Sequence, residues 1–251
     1  MTFDFHDGNI PVLFTTPHAG INRFLDNESN VIARQAETLA DMHIDVVTDM
    51  VEQHLNGIPY DIRSLMTRME CDIERYPDDR EEMNSVGMGV IYDKGIHGEP
   101  LYEIPLTHEV KYRRRHSLYY PYHHKLKEYT REIIGRFGTC IIVDMHSYST
   151  QALDYELHQY DHRPEICIGV NDDDMHTSIQ EICGKSSYDI GVNETFKGSI
   201  LPNDMDTSEY RHMESIMFEV RKDMYLHEDN SIDNESAHRV AHEIIRILNS
   251  I

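Results

Sequence analysis

The run Phe137 to Thr150, FGTCIIVDMHSYST, constrains this chain more than any other stretch. Ile141, Ile142 and Val143 are β-branched and follow Gly138, which predicts a short strand buried on both faces in the middle of an α/β sheet. The apolar run stops at Asp144, Met145, His146 and Ser147, so polar side chains are expected where the strand ends. In open α/β sheets, ligands bind at the carboxyl ends of strands. An isolated histidine there commonly just caps a loop, but a second stretch repeats the design. Pro11 to Thr16, PVLFTT, is another strand-like run, and Pro17-His18-Ala19-Gly20 ends it. Two strands therefore each deliver a histidine.

The remaining pattern alternates strands and helices. Apolar residues from Val31 to Leu55 recur at helical spacing in a segment read from about Ser29, as one helix or a helix pair, stopped by Asn56-Gly57. Asp41 and Asp45, four residues apart, share a face of it, either as a solvated acidic stripe or with one acid turned back toward His18. Tyr60 to Met66 reads as a strand. The following Thr67 to Arg75, TRMECDIER, carries Arg68 and Arg75 among acids, either as a surface ion cluster or as a bidentate carboxylate grip. Tyr76 to Pro105 is irregular and long enough for a lid or binding loop.

Leu106 to Arg136 predicts a long helical region, capped by Thr107 and broken near Tyr120 by Pro121, with Tyr122, His123 and His124 at the bend. Pro164 to Val170 predicts a strand, and a helix starts near Asp172 to Asp174. Tyr188 to Phe196 is extended and ends at Lys197-Gly198, where Asn193 and Lys197 could line a site. In Glu214 to Tyr225, Ile216, Phe218 and Val220 alternate with Met217, Glu219 and Arg221, which embeds the Glu219 acid in a strand. A buried carboxylate needs a partner. A final amphipathic helix runs from about Asn234 to Ile251.

A chain of 251 residues without low-complexity interruption is expected to form one domain, residues 1–251. Forty-five acids against 23 lysines and arginines, a net charge of -22, argue against nucleic acid or an anionic membrane as partner. The four cysteines form no C-x-x-C pair and read as small buried hydrophobes in a reducing compartment. With neither a secretory leader nor a membrane-length apolar run in the sequence, a cytoplasmic location is expected.

Two histidines from separate strand ends, an acid on an adjacent helix and a lone strand glutamate suit a catalytic zinc site. Zinc takes nitrogen and carboxylate ligands and keeps one position for water, whose proton a nearby carboxylate such as Glu219 can take and pass to a leaving amine.

The chain resembles the N-formylglutamate amidohydrolases, also called N-formylglutamate deformylases. The motifs that carry the resemblance span nearly the whole chain: Pro17-His18-Ala19-Gly20, Ala40-Asp41, Arg68 with Asp72-Ile73-Glu74-Arg75, Pro121-Tyr122-His123, Asp144-Met145-His146-Ser147, Asn193 with Phe196-Lys197-Gly198, and Phe218-Glu219-Val220-Arg221. That family is in turn similar to zinc carboxypeptidases, which His146-Ser147-Tyr148-Ser149 also resembles. The resemblance implies a phosphorylase/hydrolase-like three-layer α/β/α sandwich around a mixed sheet. It also implies Zn2+ or another divalent metal on His18 and His146; because Ile21 stands where carboxypeptidases carry glutamate, the third ligand comes from elsewhere, from Asp41, which matches an aspartate of the deformylase pattern, with Asp45 the alternative. Glu219 would be the general base. Arg68 and Arg75, assisted by Asn193, Lys197 and His123, would hold a small substrate carrying a carboxylate.

The implied reaction is hydrolysis of the amide of an N-acyl amino acid, N-formylglutamate first. A carboxypeptidase-type hydrolase of another amide and a non-catalytic binding homologue are the rival readings. One departure bears on the choice: the family pattern reads Asp-x-Asn-Arg, and here Glu74 replaces the asparagine. Facing the pocket, Glu74 would repel a carboxylate or engage an amine; facing outward, it would have no consequence.

Overall fold

The computed structural model describes residues 2–23, 30–160 and 162–251. Its centre is a seven-stranded sheet in the order β1-β3-β2-β4-β7-β5-β6. The strands are β1 (Phe3–His6), β2 (Val12–Thr16), β3 (Tyr60–Ser64), β4 (Cys140–Tyr148), β5 (Ile166–Val170), β6 (Ile190–Val192) and β7 (Met213–Arg221). β3, β2, β4 and β7 run parallel, whereas β1 and β5 are antiparallel to their neighbours β3 and β7. The sheet is therefore mixed. The edge strand β1 was not foreseen from the sequence, because its four residues carry too little apolar pattern to stand out.

Helices cover both faces, giving the three layers expected. α2 (Ile44–Glu52), α5 (Asp173–Cys183) and α6 (Asn234–Leu248) pack on one face, against Phe14, Val143, Met145, Ile216 and Phe218. α4 (Tyr120–Phe137) packs on the other, where Leu126, Tyr129 and Ile133 meet Leu13, Ile62, Cys140 and Ile142. Successive residues Leu13/Phe14 and Ile142/Val143 feed opposite cores, as the two-residue strand period requires. Central strands buried on both sides therefore read as unbroken apolar runs. β7 is buried on both faces too, although polar residues interrupt it: its apparent alternation is not inside against outside, since Ser215 to Val220 are all buried.

The segment read from Ser29 to Leu55 is a helix pair. α1 (Asn30–Leu39) ends before a break at residues 40–43, and α2 restarts after His43, whose φ of 62° is left-handed. Residue 29 lies outside the described residues. Asp41 thus sits in the break, not on a helix, and no longer shares a helical face with Asp45. On the other face, Thr107 accepts a hydrogen bond from the Val110 amide at 3.3 Å and caps α3 (His108–Arg114). A π-turn over Arg115–Tyr119 then joins α3 to α4, with Pro121 in the first turn of α4. The helical path expected to end or kink near Tyr120 instead continues through that irregular turn, which takes up the missing proline N–H.

All four cysteines are free, and Cys71, Cys140 and Cys167 are buried. Among the described residues, no helix is long and apolar enough to cross a membrane.

Candidate metal centre and active-site cleft

Three adjacent parallel strands end on one side of the sheet and bring the chemistry together. His18 follows β2 by two residues, and His146 lies in the last turns of the pleat of β4, which runs on to Tyr148 instead of stopping at Asp144. Glu219 is the register partner of His146 on β7. Side chains at equivalent pleat positions on neighbouring strands point the same way, so Glu219 and His146 share a face. Gly20 fixes the approach of the first histidine loop: a β-carbon there would stand 2.2 Å from the Leu65 carbonyl carbon, so only glycine lets this turn lie against the exit of β3.

The Nδ1 atoms of His18 and His146 are 3.3 Å apart, and Asp41 Oδ2 is 3.2 Å from the second and 3.8 Å from the first. Ligand bonds of about 2.0–2.1 Å at tetrahedral angles put ligand atoms about 3.3 Å apart. His18 Nε2 faces Asp72 Oδ1 at 3.0 Å, and His146 Nε2 faces Asp144 Oδ2 at 3.2 Å. With a proton on each of these outer nitrogens, both Nδ1 atoms present lone pairs toward Asp41. A single proton at the centre could satisfy one of the three contacts; a cation satisfies all of them. His18, Asp41 and His146 can therefore hold a divalent metal, with Asp72 hydrogen-bonded behind the His18 ring, a pairing common around metal-bound histidines, and the Asp144 and Glu74 carboxylates close behind His146 Nε2. Thr15 donates to Asp144 Oδ1 at 2.5 Å and Ser147 to Asp41 Oδ1 at 3.3 Å.

The electrostatics agree. Burial pushes the His18 imidazole down to about 4, assisted by the Arg68 guanidinium, so this ring is neutral at physiological pH. Burial disfavours charge on His146 too, but the Glu74 and Asp144 carboxylates outweigh it and hold a proton on that ring. A field that retains a proton there also favours a metal ion, which would displace it. For Asp41, burial opposes ionisation, and the hydrogen bond and charge of His146 more than offset it.

Glu219 is buried, with Oε2 lacking a hydrogen-bond partner among the described residues. Burial pushes its carboxyl up to about 8, and Asp41 and Glu74 act the same way against His146. These residues line a cleft of about 550 Å³.

Arg68 and Arg75 form another wall. Arg68 donates twice to Asp72 Oδ2, at 3.0 and 2.8 Å, Tyr92 donates to the same oxygen at 2.7 Å, and Arg75 Nε lies 3.3 Å from it. Two guanidiniums share the buried Asp72 carboxylate, Arg75 Nη1 also lies 3.9 Å from Glu81, and both arginines line the cleft. Arg68 holds the Asp72 carboxyl well below the usual range, with His18 contributing, although burial acts in the opposite direction.

Glu74 lines the cleft with Oε2 3.0 Å from His146 Nε2, and burial followed by the charge of Asp144 pushes its carboxyl up to about 7. Lys197 also lines the cleft.

Other candidates lie elsewhere. Asp45 sits in the first turn of α2, outside the ligand cluster. His123 is outside the cleft lining; its Nε2 is 2.7 Å from the Ile73 carbonyl, so it props the backbone just before Glu74 and Arg75. Asn193 is spent on the backbone: it donates to Val170 O at 2.9 Å and accepts from Val170 N at 3.0 Å and Gly198 N at 3.1 Å. That clasp holds the turn carrying Lys197. Sequence reasoning gave no role to Asp72 and Asp144, though both lie in the quoted motifs, nor to Lys222, nor to the segment from Leu153 to Tyr160 that closes one side of the cleft. Only the folded contacts single those out.

A family model described as N-formylglutamate amidohydrolase matches residues 10–226. The chain is 23% identical over 235 residues to an N-formylglutamate deformylase of Pseudomonas putida, covering 89% of this chain and 85% of that protein. Its fold is similar to that of the N-formylglutamate amidohydrolase of Ralstonia eutropha JMP134, with a TM-score of 0.79 at 18% identity over 99% of this chain and 96% of the other. It is also similar to a gene product of Agrobacterium tumefaciens, with a TM-score of 0.70 at 17% identity over 99% and 95% of the two chains. Since the family model spans most of its length, the chain belongs to the N-formylglutamate amidohydrolase family.

Proposed function

We propose that the protein is a metal-dependent amidohydrolase that cleaves a small N-acyl amino acid, N-formylglutamate first, into glutamate and formate. The observation that carries this reading is the convergence of the His18, His146 and Asp41 donor atoms at near-tetrahedral spacing beside Glu219. The donor set suits Zn2+, which when bound would supply Lewis-acid activation of a water and of the scissile carbonyl.

The chain's own groups supply the rest. Arg68 and Arg75 hold the substrate carboxylate through donors not spent on Asp72, which fixes the amide beside Glu219. Glu219 takes the proton of the attacking water. As the carbon–nitrogen bond breaks, it returns that proton to the departing nitrogen, so the acyl group leaves as formate and the amino acid as the free amine. In the metal-free protein burial pushes this carboxyl up to about 8, toward the protonated form, and a cation bound beside it would favour the ionised carboxylate that takes the proton. The proposed partner is thus a small molecule with a carboxylate.

A second reading, hydrolysis of a different amide, is favoured by one observation: Glu74 lies in the cleft wall next to Arg75 and adds an acid where an anion would dock. The experiment is metal analysis of the purified protein, with amine release from N-formylglutamate before and after chelation. Near-stoichiometric zinc with chelator-sensitive release supports the first reading. Zinc without release moves the assignment to another amide, and failure to bind any metal after reconstitution rejects the enzyme reading.

A further inference from the structure

The segment that follows β7 grips the turn that presents Asp41. Lys222 Nζ donates to Ala40 O at 2.7 Å and to Thr38 O at 3.2 Å, and the Tyr225 hydroxyl donates to Met42 O at 2.7 Å. The carbonyls on both sides of Asp41 are therefore held from one segment, while the Asp41 amide donates to His18 O at 2.9 Å and its carbonyl accepts from Ile44 N at 3.1 Å. Thr38 lies in the last turn of α1, whose final carbonyls have no partner within the helix, so the Lys222 ammonium also serves as its cap. Tyr225 is fully buried and Lys222 lies against the cleft, with charge reaching Asp41 and Glu219.

A left-handed residue at His43 and a two-helix break make this turn a backbone with no regular hydrogen-bond ladder of its own. A carboxylate that must stand near 3.3 Å from two imidazole nitrogens cannot be left on such a turn unsupported, because a ligand misplaced by an ångström no longer completes the site.

We infer that Lys222 and Tyr225 are positioning residues that set metal affinity by fixing Asp41, and that they tie this ligand to the strand carrying Glu219. The inference rests on the metal-centre reading. Substrate is not their target.

The test is Zn2+ affinity of the metal-stripped full-length protein, measured by competition with a chromophoric chelator at fixed pH, for wild type, Lys222→Met, Lys222→Arg and Tyr225→Phe. Tyr225→Phe removes only a hydroxyl, which keeps the test sound even if Lys222→Met folds poorly. The Met and Phe variants should each bind Zn2+ about 10- to 100-fold more weakly, as outer-shell losses do. Lys222→Arg, which keeps donors for the two carbonyls, should recover part of the loss.

The visible spectrum of Co2+ bound to Tyr225→Phe should differ from wild type, since the ligand geometry relaxes. Wild-type affinity in both Lys222→Met and Tyr225→Phe overturns the proposal. So does a raised KM for N-formylglutamate with unchanged Zn2+ affinity, which would make Lys222 a substrate contact. A wild-type protein that binds no Zn2+ removes the metal centre itself and the proposal with it.

Discussion

The Nδ1 atoms of His18 and His146 face each other at 3.3 Å although the residues are 128 positions apart in the chain. Parallel pairing of β2 with β4 makes this possible, since Val12 to Thr15 run alongside Ile141 to Asp144 and deliver both histidines at the same end. Two bare imidazole nitrogens do not approach so closely without something positive between them, whether a proton or a metal. The first prediction is that both sites fail together: His18→Ala and His146→Ala each lose bound metal in elemental analysis. Glu219→Gln, which is no ligand, keeps its metal and loses turnover by about 10²- to 10⁴-fold, the range for a general base. Full metal occupancy in both histidine variants would remove the centre.

Glu219 also gives a stability prediction for the metal-free protein. Its folded carboxyl is pushed up from 4.5 to about 8, so the folded state holds a proton that the unfolded chain has released. The resulting stability is full below about pH 4.5 and is lost as pH rises through about 8. Glu219→Gln cannot suffer that loss. In urea titrations it should gain on wild type progressively from pH 5 to 8 and no further above, by a few kcal/mol at roughly 1.4 kcal/mol per pKa unit. A constant gap across that window would contradict the burial argument.

The two arginines should separate by function. Arg75 is the less committed to Asp72, at 3.3 Å through Nε, whereas Arg68 bonds it twice. Arg75→Ala should raise KM for a carboxylate substrate by about ten- to a hundredfold, the loss of one charged hydrogen bond of about 1.5–3 kcal/mol, with little change in melting temperature. Arg68→Ala should lower stability as well, by about 3–5 kcal/mol, because it strips a buried carboxylate of its main partner. Equal effects in thermal melts would argue against this division.

Glu74 can be tested by Glu74→Asn, which removes an acid beside Arg75. With N-formylglutamate, kcat/KM should rise about tenfold or more if that carboxylate repels the substrate anion, and the gain should shrink at high salt. Steady-state kinetics unchanged at both ionic strengths would show that Glu74 serves only the His146 ring.

Much of this protein was legible in its sequence because the centre of the sheet is buried on both sides. FGTCIIVDMHSYST and PVLFTT read as carrying interior strands that end in polar groups, and the parallel pairing of β2 with β4 brings those ends together. Glu219, an acid inside an apolar strand, stood out for the same reason. The sequence could not choose between Asp41 and Asp45. Their four-residue spacing predicts a shared helical face, and no glycine or proline marks the break at residues 40–43. That break exists because His18 O, Lys222 and Tyr225 take up the backbone groups around Asp41, and those contacts come from the far ends of the chain. For the same reason Asn193 and His123, polar residues in the right motifs, turned out to be spent on backbone carbonyls and amides, while Asp72 and Asp144 became the acids behind the ring nitrogens.

Local pattern marked most of the strands and helices and several of the residues that line the cleft, because burial period and chain stiffness act over a few residues. Which carboxylate reaches the centre, and which polar group is left free to act, was decided only by the tertiary structure, because a hydrogen bond is allotted among all the donors and acceptors that folding brings within about 3 Å.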